Sequence, residues 1–179
     1  MSSPDSDLIA RVLLGDDRAA FGELVVRHQS PVRRFLRHLS GDPAQADDLA
    51  QDTFLQAYRS LSRFRPEARF ETWLFGIALN LHRNSRRRNL RQSAIAAKEE
   101  ARESADPSTR AVDLGQDLSA ALEHLSADER TAVHLFYLQG LTHPEIASVV
   151  GWPLGTVKTH LIRSKEKLRN LLRAWNPKT

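Results

Sequence analysis

Five arginines and no acid fall within "RNSRRRNLR", Arg83 to Arg91, and six Lys or Arg against one Glu lie between Val157 and Arg173. Cationic side chains at this density are suited to one task above others, the neutralisation of a polyanion such as a phosphate backbone. Just before the first cluster, "FETWLFGIALNLH" holds Trp73 and Asn80, which share a helical face apart from the inward Phe70 and Leu74. An indole can stack on an unpaired base, and a carboxamide offers it both a donor and an acceptor. Trp73 is equally compatible with a half-buried core position. Acid is concentrated elsewhere: "GDPAQADDLAQDTFLQAY", Gly41 to Tyr58, carries four Asp and neither Lys nor Arg. Charge segregated in this way points to separate surfaces for separate partners.

Composition removes several function classes. The chain has 179 residues, a net charge of +4 and no cysteine, which excludes disulfides, thiolate metal sites and cysteine nucleophiles. Its histidines (His28, His38, His82, His124, His134, His143 and His160) are scattered, and no nucleophile–base or metal-ligand spacing emerges from them. Asp48 and Asp52 are spaced to share a cation, but no nearby histidine completes a site. The expectation is a protein without catalysis of its own, without metal and without cofactor. The N-terminus lacks a basic leader and no apolar run is long enough to span a bilayer, so a cytoplasmic location without membrane insertion is expected.

Apolar spacing is helical throughout, and the expected fold is all-α. Leu8, Val12 and Leu13 predict one helix, Phe21, Leu24 and Val25 a second, and Val32, Phe35, Leu36 and Leu39 a third. Asp42 followed by Pro43 is a helix start. The stripe Ala46, Leu49, Thr53, Ala57 and Leu61 comes next. Pro66 interrupts, and a further helix carries Phe70, Leu74, Ile77, Ala78 and Leu81 inward. Residues 92–116 have no aromatic and few large apolar side chains, which predicts a flexible linker with a transient helix around Ala94 to Arg102. Domains are therefore expected over 1–91 and 117–179. In the second, Leu118, Ala121, Leu122 and Leu125 form one stripe, and the capping boxes "SADE" and "THPE" open two more helices that Gly140 and Gly151 close. Val157, Leu161, Leu168 and Leu171 give the seam of the last.

A short helix, a glycine-containing turn and a longer basic helix make a helix-turn-helix. Ala147 allows close crossing, Gly151 tolerates a positive φ, and Pro153 stops the first helix. The start of the second helix enters the major groove in such an arrangement, so Thr156, Lys158, Thr159 and His160 are candidates for base edges or phosphates, with Arg163 and Lys165 reaching phosphates beyond. Trp152 reads as a packing residue at the turn.

The segment Asp47 to Arg88, "DDLAQDTFLQAYRSLSRFRPEARFETWLFGIALNLHRNSRRR", resembles domain two of the extracytoplasmic-function sigma factors of bacterial RNA polymerase. "LSADERTAVHLFYLQGLTHPEIASVVGWPLGTVKTHLIRSKEKLR", Leu125 to Arg169, resembles their domain four. The resemblance implies a promoter-specificity subunit that directs transcription initiation. Its core-polymerase contact would be Asp47, Asp48, Gln51, Asp52, Phe54 and Gln56. Single-stranded −10 DNA would meet Arg63, Arg65, Trp73, Asn80, Arg83, Asn84, Arg86, Arg87 and Arg88. Duplex −35 DNA would meet the helix-turn-helix residues Thr156, Lys158, Thr159, His160, Arg163 and Lys165. An anti-sigma factor is a further implied partner. The pair Thr159-His160 stands where the family commonly has a small polar residue and then arginine, Ser164 stands where Ala is frequent, and "WP" replaces an aliphatic–proline pair. Two rivals predict differently. A lone operator-binding regulator would bind duplex tightly without polymerase and ignore single strands, and a helical hydrolase would need a site that the histidines do not make.

Overall fold

Leu8, Ile9 and Val12 are the buried face of the first helix, α1 (Asp5–Gly15), which ends where Asp16 turns to a φ of 47°. A computed structural model describes residues 4–99, 122 and 124–175, with side chains over 4–92, 122 and 124–171. The next helix, α2 (Arg18–Ser40), is capped by the Asp17 carboxylate, which accepts from the Ala20 amide. It is one helix and not the two expected, and it runs straight through Pro31. Proline removes a single intrahelical hydrogen bond, at a cost of about 3 kcal/mol. Buried residues on both sides of it, Leu24 and His28 before and Val32, Phe35 and Leu36 after, stay in helical phase and offset that cost.

Asp42 caps α3 (Pro43–Ser60) by accepting from the amides of Ala44 and Gln45, with Pro43 in the first turn as the sequence indicates. Ala46, Leu49, Thr53, Ala57 and Leu61 are all buried, and the Thr53 hydroxyl donates to the Leu49 carbonyl at 2.6 Å. After a 3-10 turn, Leu61–Arg63, the chain reaches α4 (Phe70–Glu99). Phe70, Leu74, Phe75, Ala78 and Leu79 are its core residues, and Phe75 meets Phe35 edge-on at 5.1 Å. The inward stripe is thus rotated from the expected one, leaving Ile77 and Leu81 only half-buried.

Packing divides the chain into two compact units, the first of which includes the described chain up to Arg87. Helix α4 continues unbroken to Glu99, so residues 92–99 are helical, overlapping the helix expected around Ala94 to Arg102. Ala94, Ala96 and Ala97 are strong helix formers, so nothing local ends the helix at residue 91. Of the remaining linker expectation, residues 100–116 lie outside the described residues, as do Leu118 and Ala121 of the next expected stripe.

In the C-terminal unit both capping boxes form. Ser126 opens α5 (Ala127–Val133), with the Glu129 amide donating to Ser126 Oγ and the Ser126 amide to Glu129 Oε2. A π-helical turn, His134–Leu138, continues it to Gly140, whose φ is 67°. Thr142 and Glu145 repeat the exchange before α6 (His143–Val150). Gly151, at a φ of 74°, turns the chain toward α7 (Leu154–Trp175). Leu125, Ala132, Leu135, Leu141, Ile146, Val157 and Leu161 make the core, while Leu168 and Leu171 are half-buried. Ser164 is fully buried and its hydroxyl donates to the His160 carbonyl at 2.6 Å.

One ion pair ties α5 to α7. The Lys167 ammonium donates to both carboxylate oxygens of Glu129, at 2.8 and 3.0 Å, and Glu129 is 4% exposed. Burial pushes that carboxyl upward, but hydrogen bonds from Lys167 and the Ser126 amide outweigh it and hold Glu129 below its ordinary 4.5. Its stabilising contribution is therefore complete above pH 4.5 and is lost as pH falls through the depressed native value. Glu129→Gln should lower stability by about 1–3 kcal/mol at pH 7. In urea unfolding of the full chain, measured in a pH series, the variant should also lose less stability than the wild type between pH 5 and 3 (roughly the interval in which a paired carboxylate is protonated).

Candidate nucleic-acid interface

Helix α4 changes character along its length. Its first three turns are buried by Phe70, Leu74, Phe75 and Leu79, and from Asn84 onward Arg86, Arg87, Arg88 and Arg91 are exposed. Arg83 is half-buried. None of Arg86, Arg87 and Arg88 forms an ion pair among the described residues. His82 beside them is held below its ordinary 6.5 by burial first and then by the charges of Arg86 and Arg83.

At the other end of this surface, Trp73 is half-buried and leans on Phe64 and Phe70, with ring centroids 5.4 and 5.7 Å away. Phe70 in turn meets His28 at 5.4 Å, and the imidazole Nε2 lies 2.8 Å from the Asp5 carboxylate. One part of the Trp73 ring therefore packs and the remainder is accessible. Asn80 is exposed, as are Arg63 and Arg65 in the segment before α4. A part-exposed ring, an exposed amide and a row of free guanidiniums are the components of a single-strand track.

The acidic helix is less uniform than its composition. Asp47 is held by α2, with Arg33 at 3.0 Å and Arg37 at 3.4 Å. The compensating base that its own segment lacks is thus supplied by another helix, and Asp47 is a tie within the fold. Phe54 is a core side chain at 8% exposure. Asp48, Gln51, Asp52 and Gln56 are exposed, and neither carboxylate has an ionic partner among the described residues. Leu55, 48% exposed, completes the stripe 48, 51, 52, 55 and lines a shallow cavity of about 410 Å³ with Arg18, Phe21, Phe54 and Tyr58. The i, i+3, i+4, i+7 spacing from Asp48 is the signal that would have found Leu55.

On α7, Lys158, Thr159, Arg163 and Lys165 are exposed, and Thr156 and His160 half-buried. The Thr159 hydroxyl donates to the Gly155 carbonyl at 2.9 Å, which leaves its oxygen as an acceptor. Sequence reasoning missed Ile162, a β-branched side chain 59% exposed among the cations and one turn on from Lys158 and Thr159. Lys167, by contrast, is committed to Glu129. No cluster of three or more His, Asp or Glu able to hold a metal exists among the described residues, and no helix among them is long and apolar enough to cross a membrane.

Comparison with known proteins places residues 24–92 in Sigma-70 region 2 and residues 115–168 in Sigma-70 region 4. The ECF RNA polymerase sigma factor SigE of Mycolicibacterium smegmatis is 35% identical over 173 residues, spanning 92% of this chain and 67% of its own length. The ECF RNA polymerase sigma-E factor of Escherichia coli K12 is 34% identical over 181 residues, 93% of each chain. Among solved structures, the sigma factor RpoE of Bartonella quintana, in complex with the anti-sigma factor NepR, superposes with a TM-score of 0.66 at 26% identity, over 86% of this chain and 96% of its own. CnrH in complex with the cytosolic domain of CnrY gives a TM-score of 0.69 at 28% identity, over 95% and 97%.

Proposed function

The chain belongs to the extracytoplasmic-function sigma factors, the promoter-specificity subunits that bind core RNA polymerase and direct transcription initiation, and we propose how its surfaces divide that work. The observation that carries the reading is α4: one helix, anchored in the core at its start, that bears an accessible indole, a free amide and then unpaired arginines. Opening a duplex costs pairing and stacking, and a side that captures the released strand must hold bases and phosphates together. Trp73 and Asn80 take the bases of the non-template −10 strand, Arg63 and Arg65 flank it, and Arg83, Asn84, Arg86, Arg87 and Arg88 run along its backbone.

Asp48, Gln51, Asp52 and Gln56 dock the polymerase, with Leu55 adding an apolar contact; Asp47 and Phe54 support that surface from behind. A row of carboxylates suits a basic partner, and such complementarity sets encounter rate and register more than affinity. Lys158, Arg163 and Lys165 hold phosphates of the −35 duplex, while Thr156, Thr159 and His160 face base edges. Ile162 supplies an apolar contact suited to a thymine methyl group. The working domains are residues 1–91 and 117–179 with 92–116 between them, the end of α4 overrunning into that connection. The chain carries no catalysis of its own and acts in the cytoplasm. Because two relatives of known structure are bound to an anti-sigma factor or to a cytosolic domain, a protein inhibitor that covers the polymerase or DNA surfaces is proposed for this chain too.

Replacing Arg86, Arg87 and Arg88 together with Ala should slow promoter opening by at least about tenfold, since each lost phosphate contact weakens strand capture, and should leave closed-complex affinity within about threefold; permanganate footprinting and filter binding separate the two. Lys158→Ala with Arg163→Ala should instead weaken the closed complex and reduce the slope of log K against log salt by about 2, at about 0.9 per phosphate contact. Charge reversal at Asp48 and Asp52 should lower the association rate with core polymerase by about tenfold or more in stopped-flow assembly at low salt. Equal defects from the first two variants would refute the division of labour.

A further inference from the structure

We propose that Trp152 is a positioning residue for promoter reading: it holds His160 so that the imidazole presents one fixed N–H donor to a base edge of the upstream duplex. Trp152 lies in the turn between α6 and α7, and His160 lies in the second turn of α7. Their ring centroids are 4.9 Å apart with planes inclined at 42°. Nδ1 of His160 is buried and accepts or donates no hydrogen bond among the described residues. A proton there would make a buried N–H donor without an acceptor, which folded proteins tolerate less often than a buried acceptor without a donor. The proton is therefore assigned to Nε2, by its surroundings and not by direct sight of the hydrogen. Nε2 has no partner among the described residues either, and it is not one of the buried polar atoms. It is the accessible polar edge of the ring.

The consequence is chemical selectivity. An N–H donor of fixed direction pairs with the acceptors of the major groove, guanine O6 and N7, adenine N7 or thymine O4, and is mismatched to the cytosine amino group. Thr156 and Arg163 lie one turn to either side on the same face, so the donor sits within the cationic stripe and not beside it. A histidine free to rotate about both side-chain bonds would choose among these poorly; ring contact with Trp152 removes that freedom. The tryptophan thus acts through the histidine, without itself touching DNA.

The inference rests on the reading of α7 as the duplex-contacting helix, and the test separates the two. Holoenzyme made with full-length chain is presented with promoters that share one −10 element and carry a randomised upstream element, and bound sequences are counted. The wild type should favour acceptor-bearing bases at one position. His160→Ala and Trp152→Leu should each reduce that preference about 2- to 10-fold at the same position, the double variant should do no more than either single, and Trp152→Phe should retain most of it. A uniform loss of affinity in Trp152→Leu with preferences unchanged, or an unchanged preference in His160→Ala, overturns the proposal. If the wild type shows no upstream preference at all, the reading of α7 falls first. A second measurement needs no variant: 15N chemical shifts of the His160 ring in the wild-type chain should show protonated Nε2 and bare Nδ1, and the reverse tautomer overturns the assignment.

Discussion

Like charges held side by side on a helix repel one another, and the fold secures the helix that bears them at its start. Phe70, Leu74, Phe75, Ala78 and Leu79 sink the first turns of α4 into the core, while Arg86, Arg87, Arg88 and Arg91 stand in solvent. Burial at the start fixes direction and register for the exposed turns beyond it, and burial, with the charges of Arg86 and Arg83, holds His82 below its ordinary value. Such a helix is less than fully satisfied until an anion lies along it. In the proposed division of work, Trp73 and Asn80, placed ahead of the arginines, select an anion that also carries bases.

The same criterion sorts the other charges. Where a charged residue is paired, it holds the fold: Asp47 with Arg33 and Arg37, Arg11 with Asp17 at 2.7 Å, and Glu129 with Lys167. Where it stands exposed without an ionic partner among the described residues, as Asp48, Asp52, Arg87 and Lys158 do, the proposed function gives it to another molecule. Composition cannot make this distinction, because a free carboxylate and a paired one are the same letter. Partner surfaces on this chain are therefore smaller and more definite than its charge clusters.

Much was legible in advance. Helix starts written in local chemistry (Asp42 with Pro43, Ser126 with Glu129, Thr142 with Glu145) formed as read, and Gly140 and Gly151 take the positive φ that their places require. These signals depend on neighbours within a few positions. The misjudged features depend on distant ones. Pro31 breaks a helix by local rules, but burial on both sides carries α2 through it. Phe54 sits in a polar stretch yet turns inward, because helical phase puts it one turn on from Ala50, which is also buried. Asp47 needed knowledge of which helix packs beside α3. The pairing of Trp152 with His160 spans eight positions and a turn, and neither residue announces the other.

The central claim is that one chain reads duplex DNA with α7 and unpaired DNA with α4 on the same promoter. Its most direct measurement is transcription by core polymerase plus the purified chain on a fully randomised promoter library, with start sites mapped and sequences aligned to them. The account predicts two blocks of base preference at a constant separation, the downstream one persisting when its region is supplied already melted and the upstream one requiring duplex. A single block, or two blocks whose separation varies freely from start to start, would contradict it.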